Sequence, residues 1–259
     1  MAGKLQAPRG TLDVTGPDAR RRLRLHALAG RLLGRAGYEP IETPVFEDTD
    51  LFARGVGAST DIVQKEMFTF EDKAGRSLTL RPENTAGVCR AYVEHGMHKL
   101  PQPIKVWYWG PFFRHEAPQA GRYRQFTQLG AEALGSDDPS LDAELILLLA
   151  ELVERAGAGE GLRLRIASLG TPETRADYLD ELRDYLRGRA DELSDEVRGR
   201  LDDNPLRAFD ADHPGTRVVM AGAPRLLDRL SADDAEHFVA VRALLDDAGL
   251  AYEVDSTLV

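Results

Sequence analysis

The sequence predicts an α+β fold. Two observations carry that reading. Two apolar-rich runs, "IKVWYWGPFFR" and "QFTQLGAEALG", lie on either side of the charged stretch "GRYRQF" (Gly121 to Phe126), the pattern of a β-hairpin. Elsewhere apolar residues recur at helical spacing between proline and glycine stops, and from about residue 171 the helical segments become heavily charged.

The elements follow in order. Pro17 stands where a first helix can begin, with Asp18 in its first turn. Leu25, Leu28 and Leu32 fall at helical spacing and Gly37 can end the helix. "YEPIETPVFE" is extended and interrupted by proline. "KEMFTFED" and "RSLTLRPE" predict short strands around the turn "DKAG". "NTAGVCRAYVEHG" predicts a helix capped by Asn84 or Thr85. The hairpin comes next. "DPSLDAELILLLAELVERAG" is the clearest helix, opened by Pro139 and closed by Gly157, with Leu141, Leu145, Leu148 and Leu152 as its apolar stripe. "LRLRIASLG" reads as a strand. In "TPETRADYLDELRDYLRGRADELSDEVRGRLDD", Tyr178, Leu182, Leu186 and Leu193 share one helical face. Ser231 opens a further amphipathic helix, "SADDAEHFVAVRALLDDAG", and "LAYEVDSTLV" reads as a strand. The expected organisation is a core over residues 1–170, a helical insertion over 171–250, and the start of a further core strand over 251–259. No repeat or low-complexity segment is evident.

Composition narrows the function classes. With 259 residues, 42% apolar and 29% charged, the chain is expected to be soluble, with one or two domains. Cys89 is the sole cysteine, so no intrachain disulfide can form and a reducing compartment fits. The absence of an 18-residue apolar stretch predicts no membrane-spanning helix, and the first residues lack a signal-peptide pattern. The expected location is the cytoplasm. Net charge is −10, and residues 171–250 alone carry 19 acids against 11 arginines. Such a chain is a poor general nucleic-acid binder, so any RNA contact must be local.

Chemistry concentrates in the hairpin. Strand alternation puts Phe126, Gln128, Gly130 and Glu132 on one face, and Thr127, Leu129, Ala131 and Ala133 on the other. Phe112, Arg114 and Glu116 share a face of the preceding run. If the two polar faces coincide, arginine, two carboxylates, an amide and an aromatic ring surround a glycine gap. Arginine suits phosphate, an aromatic ring suits a base, and carboxylates suit an ammonium or imidazole. Ordinary salt bridges on a solvated sheet face explain the same residues about equally well.

Weaker candidates read structurally. His95 and His98 could share a helix face, but partner ligands for a metal are lacking nearby, and no metal site is expected. His115 lacks the second histidine of a zinc-protease motif, and "GVGAST" (Gly55 to Thr60) lacks the lysine of a phosphate loop and reads as a mobile segment near the pocket. Cys89 is expected to be packed. Trp107 and Trp109 share a face and read as core. The acidic helices from Asp177 to Asp203 read as a solvated face.

"TPVFE", "LTLRPENTAG", "FRHEAPQAGRYRQFTQLGAEALG" and "NPLRAFD" together resemble histidyl-tRNA synthetase, a class II aminoacyl-tRNA synthetase. The resemblance runs from Pro8 to the final "LV". It implies an antiparallel sheet with flanking helices, a homodimer built through the first motif around Pro44 to Glu47, and an insertion near Thr171 to Leu250 that approaches tRNA(His). The substrates it implies are histidine, ATP and tRNA(His), with magnesium beside ATP. By resemblance, Arg114 is the catalytic residue, binding the α-phosphate and the histidine carboxylate. Glu116 faces adenine, Phe126 stacks on it, and Arg122 lies along the triphosphate. Glu83, Thr85 and Gln128 hold the substrate ammonium, with Asn84 between them in the histidine-binding segment, and Glu132 faces the imidazole. Tyr123 and Arg124 are left as residues that shape the loop.

Departures from the family are present. Asn84 stands where glycine is common, Ala117 where arginine is frequent, and Thr127 where histidine is frequent. The "RGLDYY"-like segment, the third class II motif and the anticodon-binding domain are not in the sequence. These residues alone are therefore expected to form an incomplete site with weak or absent aminoacylation. A paralogue of this synthetase, the regulatory subunit of ATP phosphoribosyltransferase in histidine biosynthesis, is the alternative. Retention of Arg114, Glu116, Arg122 and Phe126 favours the ligase.

Overall fold

The structure, a computed structural model, describes residues 5–55, 62–116 and 121–258, with only the backbone given at Ile62 and Gln64. Val56 to Thr60 of the glycine-rich stretch, and Ala117, lie outside the described residues. The chain divides into two compact units, Met1–Asp137 and Asp138–Val259.

The first unit is built on the hairpin. Strands β5 (Ile104–Phe113) and β6 (Gln125–Leu134) pair antiparallel along their whole length. The density of aromatic and β-branched residues in β5 suits a pleated surface packed on both faces. The short strand β1 (Glu39–Pro40) joins the other edge of β5 in parallel. A second, antiparallel sheet has the order β2 (Phe46–Asp48), β4 (Ser77–Leu80), β3 (Phe68–Glu71). Helix α2 (Thr49–Gly55) follows β2 directly.

Two helices cover the hairpin. Helix α1 (Gly16–Arg35) carries Pro17 in its first turn and places His26 with its ring centroid 5.5 Å from both Trp107 and Trp109. From the same helix Arg22 donates to Thr127 Oγ1 at 2.9 Å. Helix α3 (Thr85–Glu94) packs Val88 against Val106, Tyr108 and Phe112 on the opposite face. The tryptophan face thus belongs to α1 and the Tyr108 face to α3, as period-two alternation requires. Thr127 is bonded on the α1 side, whereas Gln128 points the other way.

Asn84 is the residue before α3, but its side chain makes no cap bond. The Glu83 carboxylate does this instead, accepting from Ala86 N at 3.1 Å. Cys89, expected to be packed, is exposed on the outer side of α3. It follows Val88 by one residue and precedes Ala91 by two, which turns it off the stripe that those two residues bury.

The second unit has two cores. Helix α4 (Pro139–Val153) is capped by Asp138, which accepts from Ser140 N. The structure corrects its buried face. Ala143, Ile146 and Leu147 pack on Val241 and Leu245 of helix α8 (Ala232–Asp247), while of the leucine stripe only Leu152 is buried. The helix is apolar nearly all round, so leucine spacing alone did not single out a face. The short strands β7 (Arg165–Ile166) and β8 (Glu253–Val254) pair in parallel.

The charged helices form the other core. Helix α5 (Pro172–Arg187), capped by Thr171, buries Tyr178, Leu182 and Leu186 against Leu193, then Val197 of α6 (Asp195–Arg200) and Val219 of α7 (Pro214–Ala221). All four apolar positions are buried there, but only Tyr178, Leu182 and Leu186 share a face of α5; the helix ends at Arg187, and Leu193 reaches the same core from an extended residue ahead of α6. The composition changes near residue 171 while the division by contacts falls after Asp137.

Candidate active site

Every sequence-predicted site residue lies in the first unit. The hairpin register places Phe126 opposite Phe112, Gln128 opposite Gly110, Gly130 opposite Tyr108 and Glu132 opposite Val106. Directly opposed residues share a face. The polar face of β6 therefore looks toward α3 together with Tyr108 and Phe112.

Arg114, just beyond β5, donates from Nε to Pro82 O at 3.0 Å, and its guanidinium lies 5.4 Å from the centroid of Phe126. The Phe126 and Phe112 rings are 6.1 Å apart. The Arg114 guanidinium thus lies near the Phe126 ring, with its Nε tied to a backbone carbonyl.

Glu132 sits at the far end of the face. Its Oε1 accepts from Thr85 Oγ1 at 2.7 Å and from the Tyr108 hydroxyl at 3.4 Å. Burial raises the Glu132 carboxyl above the ordinary glutamate range, the two hydroxyl donors pull it back, and the charge on Glu83 raises it further. Burial next to Glu132 also pushes the Tyr108 hydroxyl well above its usual value, so Tyr108 acts as a donor.

Gln128 lies between these ends. Its Oε1 is buried with no hydrogen-bond partner among the described residues. Buried acceptors in folded proteins are almost always paired, so this atom marks a place for a donor. Asn84 is 1% exposed; its Oδ1 accepts from Thr43 Oγ1 at 2.6 Å, and its Nδ2 is also unpartnered.

The connection between the strands answers how the arginines of "GRYRQF" are used. Arg124 donates from its backbone to Gly10 O at 2.7 Å and from Nε to Glu116 O at 3.4 Å, while its carbonyl accepts from Arg114 N at 3.0 Å. It shapes the loop. Arg122 has a 64% exposed side chain and pairs with Glu116 at 3.2 Å. Glu116 itself is only 19% exposed, so Arg122 is the member of the pair with room to move.

The structure adds two residues that the pattern did not single out. Tyr108 fills the glycine gap: a Cβ at Gly130 would collide with its ring and hydroxyl. Arg81, 5% exposed, donates from Nη1 to Thr43 O at 2.9 Å and from Nε to Pro111 O at 2.9 Å. Glycine inside a strand often marks close approach by another group, and Gly130 and Gly110 were the available signals for the two.

Comparisons with known proteins place the chain in a family. A family model described as histidyl-tRNA synthetase matches residues 10–196. Histidine–tRNA ligase of Thermosynechococcus vestitus is 49% identical over 255 residues, which is 98% of this chain and 59% of that protein. The crystal structure of apo Staphylococcus aureus histidyl-tRNA synthetase superposes with a TM-score of 0.76 at 36% identity, covering 99% of this chain and 58% of that one. A Bacillus halodurans structure described as an ATP phosphoribosyltransferase regulatory subunit/histidyl-tRNA synthetase shares the fold at 20% identity and a TM-score of 0.69. The chain spans about three-fifths of the length of the curated relatives it matches. Its fold is that of the class II aminoacyl-tRNA synthetases, and the chain belongs to the histidyl-tRNA synthetase family.

Proposed function

We propose that the chain is the N-terminal part of a cytoplasmic, homodimeric histidine–tRNA ligase, which activates histidine with ATP and transfers it to tRNA(His). The observation that carries this reading is the single face joining Arg114 over Phe126, the unpartnered Gln128 Oε1, and the Thr85–Glu132 pair. One end suits a nucleotide and the other suits a small cationic amino acid.

In this reading the histidine carboxylate attacks the α-phosphorus of ATP and pyrophosphate leaves. No protein nucleophile is needed; alignment and charge stabilisation supply the rate. Arg114 holds the carboxylate and the α-phosphate together. Phe126 stacks on adenine, and Glu116 faces its edge. Arg122 swings from Glu116 to the triphosphate. The substrate ammonium donates to Gln128 Oε1, Glu83 and Thr85, and Glu132 accepts from the imidazole. A hydroxyl of the terminal ribose of tRNA(His) then attacks the carbonyl of the histidyl-adenylate, forming the ester as the acyl–phosphate bond breaks and AMP leaves.

Magnesium, when bound, would neutralise charge on the phosphates. Among the described residues no group of three His, Cys, Asp or Glu side chains is placed to hold a metal. No helix among the described residues is long and apolar enough to cross a membrane.

The chain alone is expected to exchange pyrophosphate weakly or not at all, and the reading frame continued past Val259 to do so in a histidine-dependent manner. The test is ATP–pyrophosphate exchange on both forms. Exchange by the longer form that requires histidine supports the ligase. Histidine binding without exchange would replace it with the regulatory paralogue.

A further inference from the structure

Arg81 is a buried arginine with no carboxylate in ion-pair contact among the described residues. Its acceptors are instead Thr43 O and Pro111 O, with Thr43 Oγ1 at 3.2 Å. Burial lowers the Arg81 guanidinium below its ordinary value, and Glu42 and Glu47 offset this only through charge without touching it, so its location calls for a reason. Gly110 leaves the room for it: a Cβ there would collide with Arg81 Nη2. Gly110 has no left-handed φ, so space rather than backbone conformation is the constraint.

The guanidinium lies 4.6 Å from the Phe112 centroid. Phe112, fully buried, lies 6.1 Å from Phe126, which carries Arg114 at 5.4 Å. The order is cation, ring, ring, cation. The backbone ties the two ends together. Arg81 N donates to Val45 O and Arg81 O accepts from Phe113 N, while the next carbonyl, Pro82 O, holds Arg114 Nε. Thr43 extends the same network, accepting from Arg81 and donating to Asn84 beside the start of α3.

We propose that Arg81 is a positioning residue for the nucleotide half of the site: it fixes the depth of Phe112 and so the tilt of the Phe126 ring against the base. The proposal rests on the ligase reading. A lysine at 81 keeps the charge but lacks the planar fork needed to hold two carbonyls and stack on a ring.

The test uses the histidine-exchanging form of the protein, with Arg81→Lys and Gly110→Ala, the latter displacing the guanidinium without removing it. KM for ATP and for histidine are measured separately in exchange, at a temperature where circular dichroism shows each variant folded. KM for ATP is expected to rise about tenfold in both, the scale of a weakened base stack, with a much smaller change for histidine. If Arg81→Lys does not fold, Gly110→Ala alone decides. Equal changes in the two constants, or lower melting temperature with unchanged KM for ATP, would overturn the proposal and leave the ligase reading intact. Absence of histidine-dependent exchange in the unmodified protein would overturn both.

Discussion

Thr85 Oγ1 donates a 2.7 Å hydrogen bond to Glu132 Oε1, joining the first turn of α3 to β6. The Tyr108 hydroxyl reaches the same oxygen at 3.4 Å. One carboxylate oxygen thus holds the helix, the neighbouring strand and its own strand in register, and the geometry leads to several expectations.

The first concerns pH. Burial raises the Glu132 carboxyl, so the folded state retains its proton to higher pH than the unfolded chain does. Its contribution to stability is therefore fully present below the unfolded glutamate value and is lost as pH rises through the raised folded value. Urea unfolding of the protein across that window should show stability falling with pH, and Glu132→Gln should flatten the fall. A slope unchanged in the variant would assign the effect elsewhere.

Gly130→Ala should destabilise the first unit, because a methyl group would collide with the Tyr108 ring. Overpacking of this kind costs about 1–3 kcal/mol. The displaced ring should also carry its hydroxyl away from Glu132 and weaken histidine binding. Denaturant unfolding and isothermal titration with histidine measure the two effects.

Arg122 separates function from folding. Its exposed pair with Glu116 is screened and should contribute at most about 1 kcal/mol to stability. Arg122→Ala should therefore leave the melting temperature nearly unchanged while raising KM for ATP. A large loss of stability with normal KM would make the residue a loop clamp.

The charged helices should stand on their own core. Leu182 is fully buried among Tyr178, Leu186 and their neighbours. Leu182→Ala should cost about 2–5 kcal/mol, read by denaturant unfolding.

Legibility in the sequence followed the range of the interaction. Alternation along β6 was enough to place Phe126, Gln128 and Glu132 on one face, because period two is a local property. The burial of Tyr178, Leu182 and Leu186 was legible for the same reason. Tyr108 was read only as part of an apolar run. Its work depends on Gly130 and Glu132, more than twenty residues away across the hairpin. Arg81 was hidden similarly: its acceptors, Thr43 and Pro111, are 38 and 30 residues distant, and nothing local marks a strand-end arginine as buried. On α4 the apolar residues encircle the helix, so only the packing partner α8 decides which face is inside.

The central claim is that Arg114 and Phe126 form the nucleotide end of an amino-acid-activating site. It is tested most directly by histidine-dependent ATP–pyrophosphate exchange on the reading frame continued past Val259, with Arg114→Ala beside it. The account predicts exchange that requires histidine and falls by about 10²–10³ in the variant, the loss expected when one donor to a developing negative charge is removed. Exchange that proceeds equally well without Arg114 would contradict it.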